Sequence, residues 1–175
     1  MRKSNPIFVL GFALAIASGS AGCGGGSAEG GGAVDDNGNV IRTAGGAAVS
    51  EEAHNHWVDA IAMFGRHDTS ETGWNEEACT TTNGRFEQAN AAQGNTFTEA
   101  IYMLGVVAGR CGNDEQALTY YQRALQANEN YCGARVGVGL ADLRAGRTAP
   151  ARQHFERAIR DDNQCTSAVD NSEVI

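Results

Sequence analysis

From Ser50 onward the apolar residues of this chain fall into helical stripes separated by short polar breaks. Ala53, Trp57, Ala60, Ile61 and Phe64 lie three or four apart, so they share one face of a helix. Ser50 suits its N-cap, and Glu51 and Glu52 suit a positive first turn. Gly65 to Trp74 reads as a loop. The next helix is expected from about Asn75 to Gln93 with Phe86 and Ala89 on its apolar side, and Thr80 to Gly84, poor helix formers throughout, could break it.

Beyond Gln93 the pattern repeats at an offset of 34 residues. Leu104-Gly105 recurs as Val138-Gly139, Gly112 as Gly146, Ala117 as Ala151, Tyr121 as Phe155, Ala124 as Ala158 and Leu125 as Ile159. The two units run from 98 to 131 and from 132 to 165. In each, Gly112 or Gly146 is placed to end the first helix as the C′ residue. Asn113 with Gln116 forms a capping box ahead of the second helix, and Thr148-Ala149-Pro150 is an ordinary helix start. Phe86 and Ala89 echo Tyr121 and Ala124 at 35 residues, and one extra residue in the Gly94-Asn95 turn accounts for the slip. Residues 50–93 therefore read as a divergent first helix pair. Ala168 continues the series Ala100 and Ala134, so 166–175 reads as the start of a further repeat or a truncated cap, in which Val169, Val174 and Ile175 offer little apolar cover. A solenoid needs a polar terminal cap, so either a longer array or a partner is expected to complete it.

A 34-residue unit with a small residue at its eighth position, Ala at the twentieth, an aromatic at the twenty-fourth and Ala at the twenty-seventh resembles the tetratricopeptide (TPR) repeat. The resemblance implies an all-α fold, a TPR-type α-solenoid of antiparallel helix pairs with about five to six helices, following a disordered N-terminal segment. It implies a protein-binding scaffold. In such repeats the first helix of each pair lines a concave groove. Carried over residue by residue, the groove positions are Glu99, Tyr102, Val106, Gly109 and Arg110 in one repeat, and Gly133, Val136, Leu140, Leu143 and Arg144 in the next. Tyr102, Val106, Leu140 and Leu143 would make an apolar floor, with ordinary inter-helix packing as the alternative. Arg110 and Arg144 stand 34 apart and should stack, which suits an apolar peptide segment beside an acidic group; a solvated face or a helix C-terminal dipole partner is the alternative. The Lys- and Asn-containing carboxylate clamp of chaperone-binding TPRs is not matched. Arg135 and Asp142 stand where apolar residues are usual, so the second repeat reads as looser or partner-facing.

The N-terminus changes the compartment. Arg2 and Lys3 precede an apolar run from Ile7 to Ala17, too short to span a membrane as a helix, and residues 1–22 read as a signal peptide. Ser20-Ala21-Gly22-Cys23 resembles the lipobox of bacterial lipoproteins, departing from it at Ser20 where Leu is usual. The resemblance implies acylation of Cys23; ordinary signal cleavage near Ala21 is the alternative. Gly24 rather than Asp resembles lipoproteins sent to the outer membrane. From Gly24 to Ala48 the composition is Gly, Ala, Ser and a few acids, too poor in apolar bulk to offset the entropy of ordering, so 23–49 reads as the attachment site and a flexible tether. Such a tether has an r.m.s. span of about 25–30 Å and a stretched limit of roughly 80–90 Å.

The full chain carries a formal net charge of −8, and without Arg2 and Lys3 its 11 basic residues face 21 acidic ones. That field disfavours nucleic acid and anionic membrane surfaces. Four cysteines remain besides Cys23, in a compartment that is oxidising, and no Cys-x-x-Cys occurs. On a TPR solenoid Cys79 and Cys111 belong at the turn-bearing edge while Cys132 and Cys165 begin and end one repeat at the opposite edge. The expected disulfides are therefore Cys79–Cys111 and Cys132–Cys165. His54 and His56, two apart on a helix, point some 200° from each other and cannot share a metal ion easily. His67 and His154 read as surface or cap residues. Glu76-Glu77 and Asp161-Asp162 read as solvated helix ends, and no nucleophile, zinc-protease or phosphate-loop motif is found. No enzyme activity, cofactor, metal or small-molecule substrate is expected.

Lipobox, Gly tether, paired cysteines and repeats together resemble the TPR lipoproteins of the adventurous gliding-motility machinery of myxobacteria and their relatives. The residues carrying this are Gln93-Gly94, Arg110-Cys111-Gly112-Asn113, Tyr131-Cys132-Gly133-Ala134 and Asp161 to Cys165. It implies an outer-membrane-anchored periplasmic scaffold that joins envelope proteins into a trans-envelope complex. The alternative is a pilotin-like lipoprotein that assists secretin or outer-membrane barrel assembly.

Overall fold

The computed structural model describes residues 32–70, 73–161 and 165. The signal peptide, Cys23, the first part of the tether and the segment with Ala168, Val169, Val174 and Ile175 lie outside the described residues. Six α-helices form among those described: α1 (Glu51–Thr69), α2 (Glu76–Ala92), α3 (Thr98–Arg110), α4 (Asp114–Ala127), α5 (Cys132–Arg144) and α6 (Thr148–Asp161). Their ends follow from local chemistry. The Ser50 hydroxyl accepts from the Ala53 amide at 3.2 Å, Asn75 from Ala78 at 2.8 Å and Asn113 from Gln116 at 3.1 Å. In the last case the Gln116 side chain returns to the Asn113 side-chain amide at 3.1 Å. Three helices stop the same way, with Gly94, Gly112 or Gly146 at positive φ. The amides of Asn95, Asn113 and Arg147 then close onto the carbonyls of Asn90, Ala108 and Asp142 at 2.8–2.9 Å. This is the Schellman closure that satisfies orphan carbonyls.

Each helix packs on the one before it and the one after it, and α3 also touches α5, so first helices of successive pairs stand side by side. The architecture is a TPR-type helical solenoid. The 34-residue recurrence of Gly and aromatic has a steric cause. A Cβ on Gly105 would lie 2.5 Å from the Tyr121 ring, and one on Gly139 would lie 2.6 Å from Phe155, so α3 meets α4 and α5 meets α6 ring against backbone. One large core runs from Val49 through α1 to Val138 on α5. A smaller one, Val136, Ala151, Phe155, Ala158 and Cys165, belongs to the α5/α6 pair. The structure joins Cys79 to Cys111 and Cys132 to Cys165, with Cα atoms 6.0 and 5.8 Å apart. The first disulfide ties α2 to the α3–α4 turn. The second ties the start of α5 to the chain beyond α6.

Several expectations change. The loop expected from Gly65 starts later, because α1 continues to Thr69, where the Thr69 hydroxyl bonds back to the Gly65 carbonyl at 2.8 Å. Thr80 to Gly84 does not break α2: Thr80 and Thr81 donate to carbonyls four residues back and Thr82 is fully buried. Arg135 and Asp142 are neither loose nor partner-facing; both are buried. Arg135 bonds to the Glu129 carbonyl and reaches Asp161 at 3.4 Å, while Asp142 pairs with Arg147 at 2.7 Å. His154, read as a surface or cap residue, is half-buried, with its Nε2 3.7 Å from the Asp142 carboxylate.

The largest correction concerns the tether, because residues 32–49 are folded onto the solenoid. Ala33, Ile41 and Val49, spaced eight apart, bond in a ring: Ala33 N–H to the Val49 carbonyl, Val49 to Ile41 and Ile41 to Ala33, all at 2.8–2.9 Å. Bridges Gly32–Ser50, Val34–Val40 and Arg42–Ala48 complete a three-sided closure. Two matching turns link the sides, with Gly38 and Gly46, also eight apart, at φ +80° and +86°. Ala33 and Val49 are buried, and Ile41 packs on the main core. We call this segment the strap. It forms despite a low apolar content because its own main chain satisfies the inner polar groups.

Candidate functional site: the face of the first helices

The row of first helices is tied together by named contacts. Asp68 of α1 pairs with Arg110 of α3 at 3.0 Å. Tyr102 of α3 lies against α5, where a Cβ on Gly133 would meet its ring at 3.0 Å. Tyr102 also stacks near Tyr121 and meets Tyr131 edge-on, with ring centroids 5.8 and 5.4 Å apart. Of the residues assigned to the groove, Glu99, Tyr102, Val106, Gly109, Gly133, Leu140 and Leu143 are partly exposed, Val136 is buried, and Arg144 is exposed. The partly exposed apolar residues span α3 and α5 and form a continuous feature of the two repeats.

Each of the two arginines expected to stack has an aspartate of its own beside it. Arg110 is drawn back to Asp68, which also accepts from the Trp74 indole at 3.3 Å. Arg144 pairs with Asp114 at 3.1 Å in an open setting, where such a pair contributes only about 0–1 kcal/mol and exchanges readily for another carboxylate. Arg144 is thus the better of the two for reading an acidic group. Asp68 went unrecognised because it lies in the stretch read as a loop.

Glu99 is engaged by the strap: its Oε1 accepts the Ala44 amide at 2.6 Å, and Asn128 donates to the Ala44 carbonyl at 3.2 Å. Burial raises the Glu99 carboxyl, while bonds from its own amide and from Ala44 lower it in part. Gln93 fixes the base of the strap, donating to the Ala48 carbonyl at 2.7 Å and accepting the Ser50 amide at 2.9 Å. Sequence reading missed Asn128, Gln93 and the strap; the spacing Ala33–Ile41–Val49 and Gly38–Gly46 was the available signal.

All four tyrosines are held above their ordinary range, burial being the largest cause in each, and the Tyr102 phenol is pushed up to about 12. A phenol raised in the folded state contributes stability that is fully present below pH 10 and lost as pH rises through the folded value. Unfolding free energy is therefore expected to fall steadily from pH 10 toward pH 12, with phenolate absorbance rising together with loss of helix. Tyrosines that ionise around pH 10 with the helices intact would contradict this.

Among the described residues no group of three or more His, Cys, Asp or Glu is placed to hold a metal ion, and no helix is long and apolar enough to cross a membrane. Tetratricopeptide repeat protein 1 of Schizosaccharomyces pombe is 25% identical over 80 residues, 46% of this chain and 8% of that protein. The crystal structure of MamA matches with a TM-score of 0.54 at 19% identity, over 66% of this chain and 61% of that one. The chain thus spans under a tenth of the first and about three fifths of the second. No protein-family profile matches. These likenesses bear on fold: both accord with a TPR-type solenoid.

Proposed function

We propose that this chain is a protein-binding scaffold of the bacterial envelope, anchored in the outer membrane through a lipid on Cys23 and facing the periplasm, where it joins envelope proteins within a gliding-motility-type complex. The observation that carries the scaffold reading is the row Tyr102, Val106, Leu140 and Leu143, partly exposed across adjacent first helices with the exchangeable Arg144 beside it. An extended partner segment laid across α3 and α5 would bury that row and offer a carboxylate to Arg144. Two disulfides suit an oxidising compartment, and the lipobox resemblance supports the anchor. The gliding-motility assignment rests on the sequence resemblance.

A photo-crosslinking side chain placed at Val106 or Leu140 is expected to capture envelope proteins in cells, and one at Gln153 on the exposed side of α6 is not. Leu140→Glu with Arg144→Glu should reduce capture at Val106 at least tenfold with helix content unchanged. Equal capture from all three positions would sink the groove reading, and a secretin among the products would favour the pilotin-like alternative. Loss of palmitate labelling in Cys23→Ser checks the anchor.

A further inference from the structure

We infer that Glu99 and Asn128 form a clamp for the main chain of a peptide, occupied here by the chain's own Ala44, so that a partner segment entering at this end of the groove must first displace the strap. The inference rests on the protein-binding reading above.

Both main-chain polar groups of a single residue are held. The Ala44 amide donates to Glu99 Oε1 and the Ala44 carbonyl accepts from Asn128 Nδ2. Glu99 stands in the first turn of α3, and Asn128 is the C-cap of α4. The two helices of one repeat, 98–131, therefore present one acceptor and one donor at the spacing of one residue's N–H and C=O. The Ala44 side chain is exposed, so the clamp reads backbone and leaves the side chain free. Glu99 is also one of the groove residues, which places the clamp at an end of the apolar row.

The occupant is built to leave. Residues 44–48 are all exposed, so opening that stretch sacrifices little apolar burial of its own. The bound state is also incompletely satisfied, because Glu99 Oε2 and the Tyr131 hydroxyl are buried without a hydrogen-bond partner among the described residues. Buried polar atoms in that condition oppose the state that holds them. A competing segment that keeps the two main-chain bonds and adds a donor to Glu99 Oε2 is favoured over the strap. Ala33, Ile41 and Val49 can stay in their ring and Thr43 in its buried place while Ala44 to Gly46 lift, since the ring and the clamp share no hydrogen bond.

The test uses the full chain and a fluorescent peptide with the sequence of residues 40–49. Gly46 sits at φ +86°, a conformation a β-branched residue rarely adopts, so Gly46→Val should lift the turn. The peptide is expected to bind Gly46→Val at least tenfold more tightly than wild type, and Glu99→Ala or Asn128→Ala added to that variant should remove the gain. In parallel, amide exchange at Ala44 should quicken at least tenfold in Glu99→Ala and in Asn128→Ala alone, with exchange in α3 and α4 unchanged. Equal peptide binding by wild type and Gly46→Val, a gain that survives both clamp substitutions, or an unaltered Ala44 exchange rate overturns the clamp. Crosslinking at Val106 and Leu140 is scored separately, so a failed clamp and a failed groove give different results.

Discussion

Gly105→Ala is expected to destabilise the protein by about 1–3 kcal/mol, although alanine is the better helix former by roughly 1 kcal/mol. The added methyl would stand 2.5 and 2.7 Å from two carbons of the Tyr121 ring and 3.1 Å from the Ala117 carbonyl. A flexible side chain could move away at little cost. Tyr121 cannot, because a Cβ on Gly137 would already lie 2.8 Å from three atoms of the same ring on its α5 side. The ring fills the gap between α3 and α5 and is fenced by glycines from both. Urea unfolding checks the prediction, with Gly84→Ala as the contrast. A methyl on Gly84 meets nothing within 4 Å, so that change should stabilise α2 by up to about 1 kcal/mol. Gly105→Ala with Tyr121→Leu should lose less than the two single changes together, since the smaller side chain removes the clash. Equal gains at Gly84 and Gly105 would refute the steric account.

Replacing both Cys132 and Cys165 by serine is expected to cost about 3–4 kcal/mol and to separate unfolding into two steps. The bond closes a loop of 33 residues that contains all of α5 and α6. The pair it encloses has its own small core of Val136, Ala151, Phe155, Ala158 and Cys165, apart from the one that runs from Val49 to Val138. In a repeat array stability is nearly a sum of local and nearest-neighbour contributions, so the pair with least of its own should release first. Both tryptophans, Trp57 and Trp74, belong to the other end. In the variant, helical circular dichroism should therefore start to fall at lower denaturant than tryptophan fluorescence changes. Coincident transitions would show that α5 and α6 are not a separable unit.

The 34-residue period was legible because each repeat needs a ring against a bare backbone, and only glycine opposite an aromatic meets that need. The helix stops were legible for a related reason, as Gly112 and Gly146 hold φ values that other residues resist. What stayed hidden depends on pairs far apart in sequence. Nothing local to Arg110 announces Asp68, 42 residues earlier, and nothing local to Arg135 announces Asp161. The strap was misread for a different reason. Its order comes from main-chain bonds closing a ring of eight-residue spacings, while composition arguments count apolar side chains. Glu99 was assigned to the groove from position alone; that its carboxylate already holds a peptide group required the fold.

The strap also sets a length. Read as coil, the chain from Cys23 to Ser50 would be a leash of tens of ångströms on which the solenoid could roam. With residues 32–49 fastened to the α2–α3 and α4–α5 ends, the strap adds no length to any such leash. A domain acylated at Cys23 would then be moored at the bilayer by its strap side, and a partner would have to come to the membrane to meet it.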